Sequence, residues 1–61
     1  MDKQQASAIK VGDRVRDLYS GVYTVTAIKV RGIEAPHFRL SGTGLHGDGK
    51  LTSYRLLRML P

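Results

Sequence analysis

No cysteine and no tryptophan occur in the chain, and proline appears only twice. Without cysteine there is neither a disulfide nor a thiolate zinc site, the staples that very small domains often use. No run of 18 apolar residues exists, so no transmembrane helix and no membrane partner are expected. The opening MDKQQASAIK lacks the apolar stretch of a secretory signal, and a cytoplasmic location is the expectation. The acidic residues Asp2, Asp13, Asp17, Glu34 and Asp48 are scattered without metal-ligand spacing. His37 and His46 fall on different expected elements, and Ser7, Ser20, Ser41 and Ser53 all fit caps or turns. No nucleophile–base pair stands out, so neither catalysis, nor a metal, nor a cofactor is expected.

What is present is a 61-residue chain with ten Lys/Arg against five Asp/Glu, a net charge of +5. A chain this short buries only about 60% of the surface its unfolded form exposes, which leaves no room for a large cofactor pocket. Two routes to stability remain, a small β-barrel that closes its own edges or association with another copy. The size suggests an accessory protein of a bacterium, phage or plasmid.

Turn residues divide the chain into short segments. Residues 1–8 are polar and read as a flexible tail or a fraying turn of helix, with one domain over 9–61. Gly12-Asp13 precedes a first strand, Arg14-Val15-Arg16-Asp17-Leu18, with its charges expected to face out; Ser20-Gly21 ends it. Val22–Arg31 is the strongest strand segment, rich in β-branched residues. Its phase slips, because Ile28 lies three residues past Val25. A β-bulge near Thr26-Ala27 would return Tyr23, Val25 and Ile28 to one face. Pro36 opens a third strand in which Phe38 and Leu40 point inward and His37 and Arg39 outward. Residues 41–50 hold four of the seven glycines and read as a flexible hairpin loop. Leu51–Tyr54 forms a short strand running into a 3₁₀ turn. The closing Arg55–Leu60 is taken as a strand, with a helix capped by Ser53 as the alternative.

The fold expected is therefore all-β, a single small five-stranded SH3-like barrel with a 3₁₀ turn before the last strand. Val11-Gly12-Asp13-Arg14-Val15-Arg16, then Ser20-Gly21, then Tyr23-Thr24-Val25-Thr26-Ala27-Ile28 resembles the opening of SH3-like and KOW-type barrels. The same opening is similar to the plasmid-type (type II) dihydrofolate reductases. Those carry a Val-Gln-Ile-Tyr run along their shared pore, where this chain has Lys50-Leu51-Thr52-Ser53-Tyr54, so no catalytic residue carries over. Gly44-Leu45-His46-Gly47-Asp48-Gly49-Lys50-Leu51 is one residue short of a phosphate-binding P-loop, with Leu51 where Ser or Thr would hold Mg²⁺. It also lacks the flanking strand and helix, and the nucleotide reading is rejected.

Positive charge and a leucine-rich end remain as functional signals. Arg14 and Arg16, Lys29 and Arg31, and Arg39 alternate on three strands so that they can form one basic stripe, extended by Lys10, Lys50, Arg55 and Arg58. Such a stripe suits the phosphates of DNA or RNA, with Tyr19 or Tyr54 available to stack on a base. The competing expectation is a protein partner or homodimer. A six-residue strand can hide only alternate members of Leu56, Leu57, Met59 and Leu60. Leu45, at the tip of the glycine loop, is a further exposed apolar residue.

Overall fold

Asp2 starts the first element by capping it. Its Oδ1 accepts from the Gln5 backbone N–H at 2.8 Å, and the Gln5 side chain accepts from the Asp2 N–H at 3.0 Å. This reciprocal pair satisfies two donors that a helix start leaves without partners. The computed structural model describes residues 1–19, 21–30, 32–33, 36–47 and 49–60. In it α1 spans Lys3–Ala8, within the segment expected as a tail. So short a helix is unstable alone; here Ala6 and Ile9 bury themselves in the core and hold it in place.

The strands are β1 (Arg14–Asp17), β2 (Val22–Lys29), β3 (His37–Ser41), β4 (Leu51–Ser53) and β5 (Leu57–Met59), with a 3₁₀ turn η1 (Tyr54–Leu56) before the last. All pairings are antiparallel, and the order across the sheet is β4-β3-β2-β1-β5. The all-β expectation holds; the strand expected over Arg55–Leu60 is confined to Leu57–Met59, since Arg55 and Leu56 belong to η1. The sheet is not closed; it ends at the edge strands β4 and β5. Ser53 caps η1, its hydroxyl accepting from the Arg55 N–H at 3.3 Å.

The bulge lies where the phase slip put it. The β2–β3 register passes from Val25↔Leu40 to Ala27↔Arg39, skipping Thr26. The Thr26 hydroxyl donates to the Arg39 carbonyl at 3.2 Å, tying the extra residue to the facing strand. Ile28 thereby rejoins Tyr23 and Val25 and packs against the core.

Strand alternation builds that core from one sheet face. Val15, Tyr23, Val25, Phe38, Leu40 and Leu57 are all fully buried, and Ala6, Ile9 and Tyr54 cover them. Each large apolar side chain removed from water contributes about 1.5–3 kcal/mol. The Cα radius of gyration, 10.2 Å, matches the ~10.5 Å of a well-packed domain this long.

Two expectations fail here. Asp17 does not face out; it shares the inward side with Val15 and is buried. Tyr54 lies in the core, leaving it no free ring face for a base.

Candidate nucleic-acid interface

The outer sheet face follows from the same alternation that makes the core. With Val15 inward, Arg14 and Arg16 project outward and are exposed. The register sets Arg14 opposite Thr24 and Arg16 opposite Val22 on β2, and Arg16 opposite Arg58 on β5. Beyond the bulge Lys29 faces His37, and Arg39 faces both Ala27 and Leu51. Arg14, Arg16, Arg58, Lys29 and Arg39 therefore share one face. Among the described residues no acidic side chain stands at an outward strand position. Arg31, also expected in the stripe, lies outside the described residues.

These cations are not equivalent. Arg39 donates from Nη1 to the Gly49 carbonyl at 2.6 Å, which anchors it to the glycine-rich loop. Arg55 leans on its neighbour, its guanidinium 5.8 Å from the Tyr54 ring centroid. Arg16 and Arg58 sit directly across from each other, a juxtaposition of like charges that weakens a sheet. Lys10 and Lys50 are exposed just before β1 and β4.

At one end of this face the β1–β2 turn presents Tyr19, 77% exposed, beside the half-exposed Leu18. The turn is organised from beneath by Asp17. Its Oδ1 accepts from the backbone N–H groups of Tyr19 and Gly21, both at 2.8 Å, and its Oδ2 accepts from the Tyr23 hydroxyl at 2.9 Å. Burial disfavours the charged carboxylate. The hydrogen bonds from Tyr23, Gly21 and Tyr19, with His46 nearby, outweigh that and hold the Asp17 carboxyl below its ordinary value.

The glycine-rich loop is packed against the protein and wraps the same tyrosine. The His46 N–H donates to the Tyr23 hydroxyl at 3.2 Å, and the His46 ring meets the Tyr23 ring edge-on at 6.2 Å. A Cβ on Gly44 would stand 2.4 Å from the Tyr23 hydroxyl, and one on Gly42 3.0 Å from its ring. Glycine is needed in this loop because the Tyr23 side chain fills the space a side chain would take. His46 is part of that packing.

The leucine-rich end divides in two. Leu57 is core, whereas Leu56 and Met59 stay exposed beside the β5 edge, and Leu60 is half-buried. Leu45 is exposed at the loop tip, as expected. No helix among the described residues is long and apolar enough to cross a membrane. Comparison with protein-family models, with curated proteins and with solved structures finds no match to this chain.

Proposed function

We propose that this domain is a non-enzymatic basic binding module of the SH3-like kind that grips nucleic acid through its phosphates. The observation that carries the reading is the outer sheet face, with Arg14, Arg16, Lys29, Arg39 and Arg58 at outward strand positions and no acidic side chain among the described ones. The strand order, with β5 returning beside β1 after a 3₁₀ turn, supports the SH3-like part. Charges held on strands at fixed spacing meet a phosphate backbone with little further loss of main-chain freedom. Among the described residues the only α-helix is the six-residue α1, which packs Ala6 into the core and offers no recognition helix, so the reading is of sequence-tolerant binding.

A ¹⁵N-HSQC titration with a short oligonucleotide at low and moderate salt tests this. The amides of Arg14, Arg16, Lys29, Arg39 and Arg58 are expected to move together and return as salt rises. Each phosphate contact adds about 0.7–0.9 to the slope of log K against log salt. No shift at low salt ends the reading.

A second reading rests on Leu56 and Met59, exposed beside an edge strand. A protein partner or second copy covering them would bind with little salt dependence. Sedimentation at rising concentration tests the homodimer.

A further inference from the structure

Resting on the phosphate-binding reading, we propose that the strand this domain holds is unpaired, with one base stacked on Tyr19 and the adjoining phosphate between Arg16 and Arg58. Three observations converge on this end of the outer face.

Among the described residues Tyr19 is the exposed aromatic; Tyr23, Phe38 and Tyr54 are buried in the core. A ring in water next to the exposed Leu18 contributes nothing to folding, but it offers the flat apolar surface on which a base stacks. In a duplex each base is covered on both faces by its neighbours. Only an unpaired strand can bring a base face to a residue on a turn.

The described residues on either side of this turn are also tied down, as a stacking platform requires. The buried Asp17 carboxylate holds the N–H groups of both Tyr19 and Gly21, and Asp17 is fixed in turn by the Tyr23 hydroxyl. The Asp17 N–H donates to the Gly21 carbonyl at 2.9 Å and closes the turn from the other side. Backbone order established before binding is not lost again on binding.

Arg16 and Arg58 supply the third observation. Two arginines at directly opposed strand positions bring like charges to one place, and an anion between them converts their repulsion into two attractions. Arg16 and Tyr19 are three residues apart, so their Cα atoms are at most about 11 Å from each other. A single nucleotide, with the reach of an arginine side chain, spans that distance.

The test is fluorescence anisotropy at low salt with two labelled probes, a 12-nucleotide oligo-dT and a DNA hairpin with a 12-base-pair stem. Oligo-dT is expected to bind more tightly. Tyr19→Ala should weaken it about 5- to 100-fold and leave the hairpin within twofold, while Tyr19→Phe, which keeps the ring, retains the affinity. Arg16→Ala and Arg58→Ala should each weaken oligo-dT and lower its salt slope. If the hairpin binds as tightly as oligo-dT, or if Tyr19→Ala spares oligo-dT or weakens both probes alike, the inference fails and phosphate binding stands. If neither probe binds, both readings fall.

Discussion

Gly44→Ala isolates the packing of the glycine-rich loop on Tyr23. Gly44 has φ +138°, which an L side chain rarely adopts, and its new Cβ would sit 2.4 Å from the Tyr23 hydroxyl. Holding alanine in that backbone conformation costs about 1–3 kcal/mol. Relief of the clash requires the hydroxyl to leave Asp17 Oδ2, which strands a buried polar group at about 1–3 kcal/mol more. A domain this long is stable by only about 3–9 kcal/mol, so a combined loss of about 2–6 kcal/mol removes much of it. Thermal unfolding followed by circular dichroism should show Tm falling by at least ~8 °C. Gly49→Ala is the control, with φ +77° but open space around its Cβ, so only about 1–2 kcal/mol of backbone strain applies. In a Tyr23→Phe background the obstructing oxygen is gone, and Gly44→Ala should cost less than in the parent by at least about 0.5 kcal/mol. A Gly44→Ala loss no larger than that of Gly49→Ala, or full additivity with Tyr23→Phe, refutes the reasoning.

Three further outcomes are expected. Arg58→Thr removes the charge facing Arg16 and should stabilise the domain by about 0.2–1 kcal/mol in urea unfolding, more at low salt than at high. Because the folded state lowers the Asp17 pKa below its ordinary value of 3.8, its contribution is complete above that pH and is lost as pH falls through the folded value. Tm measured from pH 5 downward should therefore drop below pH ~3.8, and the part of that drop due to Asp17 should be missing in Asp17→Asn. Asp2→Ala removes the α1 cap and should cost about 0.5–2 kcal/mol, read as earlier amide exchange in Gln4–Ser7 and a lower Tm.

Much of the fold was legible because strand alternation is a strong constraint. The slip between Val25 and Ile28 located the bulge, and the outward arginines followed from the inward valines. The same rule, applied one step further, would have found Asp17. It stands two residues past Val15 and so shares its face; its charge argued for the outside and its position for the inside. Position prevailed because the turn supplies two N–H groups and Tyr23 a hydroxyl to meet the carboxylate. The capping box of α1 was also visible, as Asp2 followed three residues later by Gln5. The packing of Gly42 and Gly44 on Tyr23 was not, since those residues lie some twenty positions apart and no local pattern links them. Tyr54 was offered as a residue to stack on a base, whereas it sits in η1 and its ring joins the core.

The pairing of β1 with β5 has a consequence for the order in which the chain can fold. Val15 sits opposite Met59, so β1 becomes an interior strand only when residues near the far end have been synthesised. On a ribosome β1 to β4 emerge first, and the pairing of β5 with β1, far apart along the chain, closes last and slowly. During that interval β1 is a bare edge, the kind of surface along which nascent chains stick together. Its sequence, Arg-Val-Arg-Asp, sets a charge at each position but one. The side chains that line the outer face of the finished domain thus also guard its half-made form against aggregation.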